Sequence, residues 1–170
     1  MTDQLNWTHN AADIPARGFQ HEREATESER EGIARALGLL ALRHLSARYR
    51  IEAIAGDYRL SGKISADVDQ PCVVTLEPVN AWIDEPFDIE FWKHLEVSDK
   101  DEDASILEVP DVEKFERGVI PVGRSIFETL AASLDPYPRR KGAEFNWQDP
   151  QAAGPEKSNP FTVLSKLKDK

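Results

Sequence analysis

A chain of 170 residues is the size of one ordinary domain, and 40% hydrophobic against 31% charged residues describes a packed interior beneath a well-solvated surface. No apolar run approaches the ~20 residues of a membrane-spanning helix, and a formal charge of -10 repels phosphate backbones unless the basic residues are gathered in one place. They are partly gathered: residues 136–170 carry seven Lys or Arg against four acids, leaving 14 against 27 for residues 1–135, so an anion-binding surface is expected at the carboxyl end. The single Cys72 excludes an internal disulfide and reads as a small buried hydrophobe in a reducing compartment. Residues 1–10 carry no basic stretch followed by an apolar core, so the expected location is the cytoplasm.

Residues 5–8 start a short strand, and the Pro15 and Gly18 region is a turn. Residues 19–26 form a polar, edge-like segment. Ser28-Glu29-Arg30-Glu31 has the spacing of a capping box, in which serine and glutamate satisfy orphan backbone donors. The helix it opens is placed over residues 29–37, ending at Gly38. The period then changes to two: Leu45, Ala47, Tyr49, Ile51 and Ala53 alternate with polar residues, and after a turn at Gly56-Asp57 so do Leu60, Gly62, Ile64, Ala66 and Val68. An antiparallel hairpin follows from that pattern. Residues 73–76 read as a short buried run, and Ile83, Glu85, Phe87, Ile89 and Phe91 as a further alternating strand.

Asp99, Asp101 and Asp103 imitate the start of a calcium loop, but Ala104 and Pro110 replace the required glycine and glutamate, so a solvated acidic loop is expected. Residues 123–134 carry Ile126, Phe127, Leu130, Ala131 and Leu134 at helical spacing. A proline-, glycine- and charge-rich stretch then runs extended, and Asn159-Pro160 opens a terminal helix with Phe161, Val163, Leu164 and Leu167. The fold class is therefore α+β: an antiparallel sheet or partial barrel with two to three flanking helices.

No spacing points to chemistry. His9, His21, His44 and His94 form no close ligand pair, the glycines make no phosphate-binding loop, and Ser125 lacks the flanking glycines of a hydrolase elbow. No catalytic residue, metal ligand or cofactor is assigned. Tyr137, Arg139, Arg140 and Lys141, with Trp147 nearby, are the one local composition suited to nucleic acid, since cations meet phosphates and rings stack on bases. The plainer alternative packs the Tyr137 ring over the core and leaves the three cations to solvate a loop.

The run Cys72-Val73-Val74-Thr75-Leu76-Glu77-Pro78-Val79 resembles the signature of the YceD family, the large ribosomal RNA subunit accumulation proteins, whose usual form is Cys-x-Arg-Cys-Leu-x-Pro-Val. Val74 and Thr75 replace the arginine and the second cysteine, so no Cys-x-x-Cys metal or redox role carries over, and Cys72, Leu76, Glu77 and Pro78 are expected to be structural. Leu134-Asp135-Pro136-Tyr137-Pro138-Arg139-Arg140 and Asn159-Pro160-Phe161-Thr162-Val163-Leu164 look like the version of this family found in alphaproteobacteria, and the resemblance spans residues 18–168. It implies a single YceD-like domain over residues 1–150, a carboxyl-terminal segment with a short helix over 151–170, and a non-enzymatic role in the production or accumulation of large-subunit ribosomal RNA. The partner implied is a precursor RNA or, given the acidity, a basic ribosomal or assembly protein; no DNA or membrane is expected. Competing readings are an RNA-processing enzyme with a spatially assembled acidic site and a general protein-interaction adaptor.

Overall fold

The computed structural model describes residues 5–93, 111–115 and 118–145. Elements follow the chain as β1 (His9–Asn10), a 3-10 turn (Ala11–Asp13), β2 (Phe19–Glu24), α1 (Glu27–Leu37), β3 (Ala41–Ile54), β4 (Asp57–Pro71), β5 (Pro78–Trp92), β6 (Asp111–Lys114), β7 (Val119–Ile120) and α2 (Val122–Ser133). Strands β2-β3-β4-β5-β6 form one sheet in that order, and β1 pairs with β7 in a separate two-stranded ribbon. The α+β class stands. Two details differ from expectation: β6 runs parallel to β5, so the sheet is mixed, and the sheet remains open instead of curling into a barrel.

The β3–β4 hairpin is the frame, with Leu45 opposite Ala66, Ala47 opposite Ile64 and Ile51 opposite Leu60. Strict alternation sends these residues to one face, where all are buried. Gly62 sits in the middle of that face because a Cβ there would stand 2.4 Å from the Arg48 carbonyl oxygen and 2.9 Å from Phe87. Helix α1 adds Ile33, α2 adds Ile126 and Leu130, and the amino-terminal segment adds Leu5 and Trp7 to the same cluster. Residues 5–8 are thus core filling and not a strand, the only pairing there being His9–Asn10 with Val119–Ile120. Gly123 N–H donates to the Trp7 carbonyl at 2.8 Å, and a Cβ on Gly123 would lie 2.1 Å from the Leu5 carbonyl oxygen, so only glycine admits this approach.

Helix α1 begins two residues earlier than its sequence signal. The capping box is Thr26 to Glu29: Thr26 Oγ1 accepts from Glu29 N–H at 3.3 Å while Thr26 N–H donates to Glu29 Oε2 at 2.8 Å. Ser28 to Glu31 has the same spacing but loses, because Ala25, just past the end of β2, is a buried residue tied to the Leu45 carbonyl at 2.9 Å, and the chain must turn there. Gly38 ends the helix at φ +66, as expected. The acidic loop at 99–103, His94, Trp147 and the terminal-helix residues 159–168 lie outside the described residues.

The other face of the sheet carries charge. On it Arg48 pairs with Glu22, Arg50 with Glu52, Arg59 with Asp88 and Lys63 with Asp84. Arg48 and Lys63 are directly opposed across β3 and β4, a like-charge juxtaposition that these lateral carboxylates offset.

Candidate functional site

The sequence-selected residues meet at one end of the sheet. β4 and β5 are joined by residues 72–77, a turn built on Cys72: its N–H donates to the Glu77 carbonyl at 2.9 Å and its carbonyl accepts from Leu76 N–H at 2.9 Å. Leu76 closes the turn in the left-handed region, φ +61, which a leucine rarely adopts. The stretch after α2 is stitched onto this turn. Gln70 Nε2 donates to the Asp135 carbonyl at 2.9 Å, Val73 N–H to the Pro138 carbonyl at 2.9 Å, and Arg140 N–H to Cys72 Sγ at 3.4 Å. The Arg140 guanidinium also pairs with the Glu77 carboxylate, which holds that carboxyl below its ordinary value.

Cys72 is buried and is the hub of the stitching. Its sulfur faces the Arg140 backbone N–H, the Thr75 hydroxyl and the backbone N–H groups of Thr75 and Val74, and these donors lower the thiol to about 6. Thr75 stands where the YceD signature has its second cysteine, and here its hydroxyl serves the first cysteine's sulfur. That supports a structural role for Cys72. The same fold-back gives Glu77, at a variable position of that signature, and the signature's Pro78 their places: Glu77 latches Arg140, and Pro78 is the first residue of β5, where a missing N–H costs nothing.

What the turn displays differs from the sequence expectation. Residues 73–76 are not a buried run: Val73 is 46% and Leu76 74% exposed. Nor does the Tyr137 ring pack on the core, for it is 72% exposed while its neighbour Pro138 is buried. The reason is common to both. The backbone of each segment is consumed in bonding the other, so the side chains that do not face the seam point to solvent.

Arg139 and Lys141 are exposed and engage no partner among the described residues, whereas Arg140 is committed to Glu77. The tip therefore presents an aromatic ring, two aliphatic side chains and two available cations. Leu76 and Val73 were the residues sequence pattern misplaced; the signal that could have found them is the break in alternation between Val68 and Val79, closed by a proline.

Elsewhere, histidines separated in sequence come together. His9 Nε2 lies 2.8 Å from the Tyr49 hydroxyl, and its ring is 5.9 Å from that of His21 and 5.0 Å from that of Phe19. Burial, then the neighbouring His21 and Arg23, lower the His9 pKa. Among the described residues no carboxylate is paired with this ring.

No curated protein and no solved structure matches the chain. The family model described as large ribosomal RNA subunit accumulation protein YceD matches residues 60–168, which takes in the whole of the Cys72 turn and the Pro136–Lys141 seam. That match covers well over half the sequence, begins within β4 at a core residue, and joins the two segments the fold stitches together: the chain belongs to the YceD family, named for accumulation of the large ribosomal RNA subunit.

Proposed function

We propose that this protein supports large-subunit ribosomal RNA accumulation as a binder and not as a catalyst, contacting single-stranded precursor RNA through the tip formed by the Cys72 turn and Tyr137, Arg139, Arg140 and Lys141. The observation that carries it is the Tyr137 ring, 72% exposed near Arg139 and Lys141, two cations that engage no partner among the described residues, inside the residues the family model matches. A ring with one free face stacks on any base, and flanking cations take phosphates. Leu76 and Val73 extend the apolar floor on which a base or ribose can rest. Arg140, held by Glu77, positions the seam instead of reaching outward. The acidity of the remaining surface limits such a contact to this tip.

The test is binding of the intact protein to precursor fragments of large-subunit RNA across a salt series. Tyr137→Ala should cost about 1–3 kcal/mol, the range for one base stack. Arg139→Ala with Lys141→Ala should lower the log-log salt slope by about 1.4, at about 0.7 for each single-strand phosphate contact. Unchanged affinity and slope in both variants would remove the tip from the interface. RNA shortened on incubation with the protein and a divalent metal would instead favour a processing enzyme.

A further inference from the structure

The five-stranded sheet has one face with no layer upon it among the described residues. With Ile83, Phe87, Ile89 and Phe91 turned into the core, the alternate residues of β5 fall on this open face: Trp82, Asp84, Pro86, Asp88, Glu90 and Trp92 in a single row. At ~3.3 Å per residue, the two tryptophans stand about 33 Å apart. Trp82 is 61% and Trp92 38% exposed, unusual for so large an apolar side chain. Trp82 lies parallel to the His44 ring at 6°, with centroids 5.9 Å apart, so one ring face is supported and the other is free.

The charge on this face decides what suits it. Among the described residues on this face, Arg48, Arg50, Arg59 and Lys63 are held in the ion pairs with Glu22, Glu52, Asp88 and Asp84, and Arg43 is held by Asp67 and Asp69. Beyond those pairs the surplus is negative. Glu90 accepts from the Trp92 indole N–H at 2.9 Å and stands opposite Arg59, whose ion pair is with Asp88, and Glu24 meets His44. Asp67 and Asp69 share a single arginine, Arg43. Among the described residues the cations of this face are already engaged, which leaves little for a phosphate backbone. A second copy of the chain would set the same negative surplus against itself. A cationic partner satisfies both features, because Lys and Arg complement the carboxylates and sit favourably over indole rings.

We propose that the open sheet face is a second docking surface, taking a lysine- and arginine-rich protein segment laid along β5 between Trp82 and Trp92. It is distinct from the tip, so either surface can fail without the other. The exposed tryptophans act as anchors and the acidic row as the register between them.

The experiment is a titration of the isotope-labelled full chain with a synthetic peptide of alternating lysine and threonine, about ten residues long, read by NMR at low salt. Saturable shifts should map to the β5 and β4 amides and to the Trp82 and Trp92 indole N–H groups. Trp82→Ala and Trp92→Ala should each weaken binding about threefold. Asp84→Asn with Glu90→Gln should weaken it about tenfold, an effect that salt abolishes. Glu27→Gln with Glu31→Gln on α1 removes the same charge and should leave affinity unchanged. Equal loss in that control, shifts spread over α1 or the tip, or the same face being taken by oligouridylate or by a second copy in place of the peptide would each overturn the proposal.

Discussion

Along β4, Leu60, Ile64, Ala66 and Val68 are wholly buried, yet a few residues past the buried row the same chain displays Val73 and Leu76 to solvent. The two regions are held by different physics. In the interior, side chains carry the stability and the backbone merely completes the ladder. At the tip, backbone groups and the Cys72 sulfur carry the assembly and the side chains are left outward. The interior therefore tolerates little change, whereas the tip can vary its outward residues without unfolding.

The strongest way to break this contrast is to damage the interior. Leu60→Ala should destabilise the protein by about 2–5 kcal/mol, as removal of a fully buried leucine does, measured by urea unfolding. RNA affinity per folded molecule should be unchanged. A parallel loss of affinity in molecules that remain folded would mean that the tip depends on the core more directly than the stitching implies. Next in size is the helix cap: Thr26→Ala removes one half of the capping box and should cost about 1 kcal/mol, while Ser28→Ala, outside the box, should cost little. Equal losses would restore the downstream box as the working one.

Cys72 sharpens the comparison through pH. Its thiol is held at about 6 in the folded protein, below the ordinary value of about 8.5. A depressed acid binds fewer protons when folded than when unfolded, so its contribution is full above the unfolded value, shrinks as pH falls, and vanishes below about 6. Unfolding midpoints of wild type should rise from pH 6 toward 9 relative to Cys72→Ala, and the two curves should run parallel below pH 6. His9 acts in a lower window. Its folded value is depressed too, so stability is present above about 6.5 and is lost as pH falls below it. The affected part should be the amino-terminal segment, whose β1, among the described residues, pairs only with β7, and His9→Gln should flatten that acid-side loss in hydrogen exchange at Asn10 and Ala11.

The interior was legible because period two leaves little freedom: Leu45 to Ile51 and Leu60 to Val68 could be packed only on one face, and the register follows. Helix α2 was legible within a residue at either end, and α1 was displaced because two capping boxes overlap and a tertiary tie at Ala25 selects between them. The candidate site was legible as two motifs and not as one surface. Nothing local says that Val73 bonds Pro138, nor that Arg140 reaches Glu77 across 63 positions of chain. Apolar content alone made residues 73–76 look buried, when the competing rule was backbone satisfaction in a tight turn. The parallel pairing of β6 had no signal at all, since four residues carry no usable period.

The smallest stability change is the most telling. Leu76 adopts φ +61 while its side chain is 74% exposed, so the protein bears a backbone cost with no burial in return. A left-handed leucine costs about 1–2 kcal/mol against a relaxed residue, and glycine at that position removes the cost but gives back about 0.4–1 kcal/mol through the greater freedom of the unfolded chain. Leu76→Gly should therefore leave stability unchanged or raise it slightly, within about 1 kcal/mol, while weakening the tip's partner interaction. Loss of stability would show that Leu76 packs against something and belongs with the interior. Gain of stability with loss of binding would show that the strain is retained for what the side chain touches outside its own fold.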